Sequence, residues 1–312
     1  MSAGQIFGSP PEPIFNLDGV CVQPDLLEDI LHILASRSEE RTKSAVGQNY
    51  GQFCGGDCAK YIFLLCERFN QPPETRYLAV DIFDKFMSKH LCGLYKYIRT
   101  SKKYVDRKKE WEDLETKLSR LMCLRMVSSV QLASKLCSHC KILTLRKCQR
   151  FLAASGHQYT LDSIMLSELS ILKTLDFKVP SASALTYIEA LLEILGYNDS
   201  STNVKVLHAT CLDVLDVTIL RRQVVYNKLC TLAINSIEVT KEDLEQFATV
   251  EEDMMFLAVA VIGAATYIVD QDTLHRVVDH ISKITRIPFA DILDFSNILI
   301  QECVPVQGTG MT

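Results

Sequence analysis

The sequence lacks the long apolar segments that cross a membrane and the excess positive charge that attracts nucleic acids in general. Its longest apolar run extends from Phe256 to Ala265, well short of the roughly 20 residues that a spanning helix needs. No secretory signal is recognisable at the start, so we expect no membrane insertion. The net charge is -5 and the isoelectric point is near 5.8, so contact with nucleic acid would require a local basic patch.

Motifs of the common enzyme classes are also absent. We find no G-x-S-x-G nucleophile elbow, Walker loop, dinucleotide fingerprint or H-E-x-x-H pair, and the seven histidines are scattered. The sequence therefore predicts a protein that is not an enzyme and that needs no cofactor. The twelve cysteines follow no regular spacing, which favours reduced thiols in the cytosol or nucleus over a disulfide framework.

Helical periodicity dominates what is present, and no segment alternates in the manner of a strand. The chain has 312 residues, of which 48% are hydrophobic, which is enough for two domains of ordinary size. Val179-Pro180-Ser181 is a natural boundary, because proline stops a helix and serine can cap the next one. We predict a flexible leader over 1–24, an N-terminal helix with a first helical domain over 25–180, a second helical domain over 181–303 and a loose tail over 304–312.

Two helices of the predicted first domain have informative patterns. The segment Leu118–Leu136 is apolar or small around nearly its whole circumference between Met126 and Ser134, which is typical of a helix surrounded by other helices. The helix over 161–175 follows a capping residue at Thr160 or Asp162. Its buried stripe is predicted to contain Leu161, Ile164, Met165, Leu169, Leu172 and Leu175.

A dense basic run interrupts the helical pattern in a segment at about 91–117, which we call the insert. Between positions 96 and 109 the sequence contains one acidic residue, Asp106. It contains seven basic residues, namely Lys96, Arg99, Lys102, Lys103, Arg107, Lys108 and Lys109. Such a run can bind the DNA backbone or act as a nuclear import signal. Four aromatic residues lie among the charges and can stack on bases, namely Tyr95, Tyr97, Tyr104 and Trp111. The alternative is a solvated, charged surface loop.

Three stretches together resemble the cyclin box, a bundle of five helices around a central helix of small residues. They are Glu74–Val80 followed by Asp84-Lys85-Phe86, then Val130–Lys135, then ELSILKTLDF from Glu168. The second half resembles the second, more divergent cyclin fold, with Phe256–Tyr267 in the place of its buried central helix. The resemblance implies an all-α protein of tandem cyclin-like five-helix bundles, preceded by an accessory helix.

Further phrases resemble a narrower family, the cyclin N-terminal domain-containing proteins that are associated with maturation of meiotic crossovers in animal germ cells. They are VSSVQLASKL from Val127, EALLEILGYN from Glu189 and LHATCLDVLD from Leu207. This resemblance, and no feature of composition or spacing, implies a role in meiotic recombination. It implies a nuclear, chromosome-associated protein with or without a cytoplasmic pool, and other recombination proteins as partners.

The resemblance also implies a kinase partner and two site residues. In cyclins, a lysine ending the central helix and a glutamate in the last helix of the box form the polar centre of the kinase-binding face, and Lys135 and Glu168 match them. The helix macrodipole favours a cation at a helix C-terminus, and charges on an apolar face fix the register of a docked helix. We therefore expect a cyclin-dependent kinase to bind there. The alternative is an ordinary intramolecular salt bridge, worth little if exposed.

Two departures from the family pattern keep a second function open. The first box helix, within Cys54–Leu65, has neither the arginine nor the tryptophan of the substrate-docking groove in many cell-cycle cyclins. Lys135 is followed by Leu136, Cys137 and Ser138, where the family usually has an acidic pair. The alternative function is a scaffold that binds other recombination factors without a kinase.

Several cysteines raise the question of a metal site. Cys137, His139, Cys140 and Cys148, with Cys54 and Cys58, are residue types that bind zinc and include one C-x-x-C pair. A zinc finger needs a second pair at suitable spacing, which this sequence does not provide. We predict no metal site.

Overall fold

The computed structural model describes residues 15, 23–47, 50–100, 107–137, 141–234 and 247–304. The leader and tail predicted at the two ends lie largely outside the described residues. Phe15, which belongs to the predicted leader, is described and is buried. No strand occurs in the described part of the chain, so the predicted all-α fold class is confirmed. No helix in that part combines the length and the apolar character needed to span a bilayer.

The described helices form two compact units. The first unit contains α2 (Gly56–Arg68), α3 (Pro73–Thr100), α4 (Arg107–Cys137), α5 (Leu145–Ala154) and α6 (Leu161–Thr174). The second contains α1 (Pro24–Ala45), α7 (Ala184–Asn198), α8 (Val204–Leu220), α9 (Arg222–Ile234), α10 (Met254–Val269), α11 (Leu274–Thr285) and α12 (Phe289–Cys303).

Helix α4 is the central helix of the first unit. It contacts α2, α3, α5 and α6, as the small and apolar residues of its second half predict. Asp84 on α3 organises the loop before α2, because its carboxylate accepts hydrogen bonds from the Gly51 and Phe53 N–H groups, both at 2.7 Å. The Thr160 side chain caps α6 by accepting from the Ser163 N–H, which settles the choice between the two predicted caps.

The described part of the predicted insert is helical and is not a loop. Helix α3 continues to Thr100 and α4 begins at Arg107, so the basic run lies on the ends of two packed helices. Ile98 of α3 is buried, and the rings of Tyr95 on α3 and Trp111 on α4 meet edge to face with centroids 5.7 Å apart. These apolar contacts outweigh the repulsion among the charges, which is weak for solvated side chains.

Helix α1 packs in the second unit, whereas the sequence grouped it with the first domain. It contacts α7 and α10. Ser38 donates to Asp253 Oδ1 at 2.8 Å and accepts from the Met255 N–H at 3.2 Å, so α1 completes the N-terminal cap of α10. Arg41 lies 2.7 Å from Glu252, and both side chains are nearly buried. These partners follow α1 by more than 200 residues, and no local pattern indicates them.

Helix α10 is the buried centre of the second unit. It contacts α7, α8, α11 and α12, and it is buried from Leu257 to Thr266, as the apolar sequence predicts. Its approach to α12 is close at Gly263, where an added Cβ would lie 2.3 Å from Ser296 Oγ. Ser296 in turn donates to the Ala260 carbonyl oxygen at 3.0 Å. A side chain at position 263 would therefore disturb both the spacing and this hydrogen bond.

Candidate functional site

The two side chains that the sequence singled out, Lys135 and Glu168, meet at the surface of the first unit. Lys135 lies in the last turn of α4 and Glu168 in the middle of α6. Lys135 Nζ donates a hydrogen bond to Glu168 Oε1 at 2.5 Å. The lysine side chain is 38% exposed and the glutamate side chain 12% exposed, so the ammonium remains open to solvent while the carboxylate is largely covered.

The sequence around Lys135 explains why this residue reaches the surface. Every residue of α4 from Val127 to Ser134 is buried. Ser134 Oγ donates to the Gln131 carbonyl oxygen at 2.7 Å and accepts from the Leu143 N–H at 3.0 Å, which ties the following segment to the helix end. Lys135 is the first exposed residue after this run, at the negative end of the helix dipole, where a cation is favoured.

A buried hydrogen-bond cluster fixes α6 against α4 one residue before Glu168. Ser167 Oγ accepts from Ser128 Oγ at 2.8 Å and from Arg125 Nη1 at 3.0 Å. The Arg125 guanidinium also lies over the Phe86 ring, 5.2 Å from its centroid, and burial lowers its pKa. Sequence reasoning missed this cluster, although serines in an otherwise apolar helix are a signal of buried polar contacts.

A buried cysteine, Cys148 of α5, lies next to the charged pair. Both charges act on its thiol, but burial dominates and raises the pKa of Cys148 to about 12. The thiol therefore stays protonated at neutral pH and packs as a small apolar group.

The buried stripe predicted for α6 is wrong at two positions. Ile164 and Leu175 are buried as predicted and Leu169 and Leu172 are half-buried, but Leu161 and Met165 are 36% and 50% exposed. Ser167 and Ile171 occupy inward positions instead. Helix α6 is apolar on more than one side, so periodicity alone does not select the buried side. The hydrogen bonds of Ser167 to α4 orient the helix.

Two apolar residues of α6 are exposed on the side of the helix that carries Glu168. Leu161, Met165 and Glu168 recur at helical spacing on one side of α6, and Leu136, which is 48% exposed, follows Lys135 on α4. We call these five residues the docking face. Exposed apolar area with a charge pair within it suits a partner helix, because the apolar area supplies affinity and the charges supply register.

A groove lies between α2 and α5 of the same unit. Its volume is about 510 Å³, and it is lined by Tyr61, Leu64, Leu65, Glu67, Arg68 and Phe151. Three of these residues belong to Cys54–Leu65, the stretch that departs from the family pattern. Leu64 is 60% exposed within it. This protein therefore has a groove here, although Cys54–Leu65 lacks the tryptophan found in the substrate-docking groove of many cell-cycle cyclins.

The proposed zinc ligands do not converge in the described residues. Cys54 and Cys148 are buried, whereas Cys58 and Cys137 are half-buried. No group of three or more histidine, cysteine, aspartate or glutamate side chains is placed to hold a metal ion in the part that the structure describes. His139 and Cys140 lie outside the described residues.

The basic residues of the insert lie at the other end of α4 from the docking face. Lys96 and Arg99 are exposed on α3, and Lys108 and Lys109 are exposed on α4. Arg107 begins α4, while Lys102, Lys103 and Tyr104 lie outside the described residues. At 1.5 Å per residue, Lys109 and Lys135 are separated by about 39 Å along the helix axis. The two groups of residues therefore lie in different parts of the first unit.

Comparison with known proteins identifies the family of the chain. Residues 36–180 match the family model for the cyclin N-terminal domain. Over 292 residues the chain is 34% identical to human cyclin N-terminal domain-containing protein 1, covering 93% of this chain and 88% of the human protein. Over 290 residues it is 33% identical to the mouse protein of the same name, covering 93% and 86% of the two chains. The resemblance to cyclin-like proteins predicted from the sequence is confirmed.

Proposed function

Since the chain belongs to the family of cyclin N-terminal domain-containing protein 1, we propose that it is a non-catalytic regulatory protein that binds and activates a cyclin-dependent kinase. Cyclin-fold proteins are in general regulatory. We further propose that it acts in the nucleus of germ cells, where it promotes maturation of meiotic crossovers during homologous recombination with other recombination proteins. Similarity along nearly the whole chain supports the use of the family role here.

The convergence of Lys135 and Glu168 within exposed apolar residues is the observation that carries the kinase proposal. Met165 and Leu136 remain in contact with water in the isolated protein, and covering them with a kinase helix would stabilise the complex. The Lys135 ammonium has capacity for further hydrogen bonds beside the one it gives to Glu168. Docking would activate the kinase by moving a helix of the kinase together with the ion pair that this helix carries.

A charge exchange tests the kinase proposal. We expect Lys135→Ala and Glu168→Ala each to weaken kinase binding at least thirty-fold, the scale for breaking a charge pair at an interface. The exchange variant K135E/E168K keeps an internal pair but reverses both charges toward the kinase, so binding should stay weak. Glu168→Ala should change protein stability little, because the lysine that it leaves unpaired is exposed. Lys135→Ala should lower stability more, because the carboxylate that it leaves unpaired is largely covered.

The measurement is the dissociation constant of purified protein for candidate kinases, with Lys283→Ala as the control. Lys283 forms a 2.6 Å pair with Asp279 on the exposed side of α11 in the second unit. Binding as tight as wild type in all Lys135 and Glu168 variants would remove the basis of the kinase proposal. Recovery of binding in the exchange variant alone would mean that the pair is only structural.

A kinase-independent scaffold is the second candidate function. It is favoured by the pairing of Lys135 with a residue of its own chain and by Leu136 and Cys137, which stand where cyclins usually have acidic residues. Kinase activity separates the two candidates. A scaffold would bind recombination factors through the docking face without raising the activity of any cyclin-dependent kinase to which it is added.

A further inference from the structure

We propose that the paired ends of α3 and α4 bind the phosphate backbone of a nucleic acid, a function separate from kinase docking. Four exposed cations, Lys96, Arg99, Lys108 and Lys109, lie on the two helix ends and are called the basic tip. Within the described residues, Lys96, Arg99 and Lys108 take part in no ion pair. The charges of these three residues are therefore available to an anionic partner.

The helical setting gives these cations a defined geometry. Helices α3 and α4 pack along their length, and the edge-to-face contact of Tyr95 with Trp111 joins their ends. Lys96 and Arg99 are separated by about 4.5 Å of helix rise. Successive phosphates of one strand in a duplex are about 3.4 Å apart along its axis. Two adjacent phosphates therefore lie within reach of two flexible side chains on one helix face.

Acidic residues limit how far a nucleic acid can extend along α4. They follow Lys109 directly and comprise Glu110, Glu112, Asp113 and Glu115. The positive potential is therefore confined to the basic tip, and the number of bound phosphates should not exceed about four. This places the expected affinity at the weak, salt-sensitive end of nucleic-acid binding.

Aromatic residues distinguish this surface from a simple import signal, which needs charge alone. Tyr97 is 56% exposed beside Lys96, and a base can stack on such a ring. Trp111 is not suited to this role, because its ring contacts Tyr95 and its indole N–H donates to Glu115. The combination of cations with an exposed tyrosine favours nucleic acid over an import receptor.

Fluorescence anisotropy of the full-length protein with labelled oligothymidylate, and with a duplex of equal length, tests the proposal. With three to four phosphate contacts, affinity for the single strand should fall about twenty-fold to fifty-fold between 50 and 200 mM salt. The neutralised variant K96Q/R99Q/K108Q/K109Q should lose most of this salt dependence. Tyr97→Ala should weaken single-strand binding about ten-fold and leave duplex binding unchanged, which tells stacking from backbone contact.

Two controls distinguish binding through the basic tip from an effect of the protein's net charge. The variant K43Q/K60Q/K205Q/K283Q removes the same charge from exposed lysines elsewhere and should bind as wild type does. Lys96→Arg with Lys108→Arg keeps the charge and should retain binding. The basic-tip variant should still bind the kinase, so a failure of this proposal is separable from a failure of the docking face.

Three results would overturn the proposal. The first is absence of binding to either oligonucleotide by wild-type protein at about 50 mM salt, where electrostatic contacts are strong. The second is a basic-tip variant with the affinity and salt slope of wild type. The third is loss of nuclear accumulation in that variant when wild-type protein binds neither oligonucleotide, which would identify an import signal instead.

Discussion

Replacement of Gly263 by alanine tests how closely the second unit is packed. An added Cβ would lie 2.3 Å from Ser296 Oγ and 3.3 Å from Ser296 Cβ, and the first of these distances is shorter than a real side chain tolerates. Ser296 cannot rotate away without losing its 3.0 Å hydrogen bond to the Ala260 carbonyl oxygen. The substitution must therefore separate α10 from α12 or break this bond.

Opposing contributions set the size of the effect. Alanine is better than glycine in a helix interior by about 0.5–1 kcal/mol. Overpacking a core costs about 1–3 kcal/mol, and a lost intramolecular hydrogen bond costs about 1 kcal/mol more. We therefore expect Gly263→Ala to lower the free energy of unfolding of the second unit by about 2 kcal/mol.

Gly93 is the matched control, because it is also inside a helix but exposed, with nothing within 4 Å of an added Cβ. Gly93→Ala should stabilise the first unit by about 0.5 kcal/mol. Urea unfolding followed by circular dichroism measures both variants. With Ser296→Ala in the background, Gly263→Ala should cost at least about 1 kcal/mol less, since the nearest clashing atom is gone. Equal effects of the two glycine substitutions would refute the reasoning.

Three further results are expected. Asp84→Asn should destabilise the first unit by about 2 kcal/mol in a urea titration, because an amide cannot accept both loop N–H groups that the carboxylate accepts at 2.7 Å. Burial lowers the pKa of His90, so the folded state binds a proton less readily than the unfolded chain. Stability should fall as the pH drops below about 6.5, and His90→Gln should reduce this slope in thermal unfolding. A maleimide should modify exposed Cys92 before Cys66, because burial raises the pKa of the Cys66 thiol to about 12.

Each of these results has an outcome that contradicts it. An unchanged urea midpoint for Asp84→Asn would mean that the loop does not depend on the carboxylate. If stability falls with pH as steeply in His90→Gln as in the wild type, the pH dependence belongs to other groups. Equal labelling rates of Cys66 and Cys92, measured by mass spectrometry of peptides, would mean that the first thiol is not protected by the fold.

The sequence was sufficient to locate most helices because their apolar residues recur at the period of a helix. The helix predicted over 161–175 is observed at Leu161–Thr174, and the buried helix predicted around Phe256–Tyr267 is observed at Met254–Val269. The central position of α4 also followed from the small and apolar residues around its circumference. The prediction was less successful where charge interrupted the pattern, as at 91–117, where the described residues are helical.

The sequence by itself determined the helical character of the chain and, through resemblance, its cyclin-like family, because helix periodicity and family motifs are local properties. Only the tertiary structure decided that α6 turns Met165 outward and that α1 packs on α7 and α10. Both depend on polar contacts between distant residues, namely Ser128 with Ser167 and Ser38 with Asp253. Such a bond selects one of several apolar sides that periodicity leaves equivalent, and no single segment contains both of its partners.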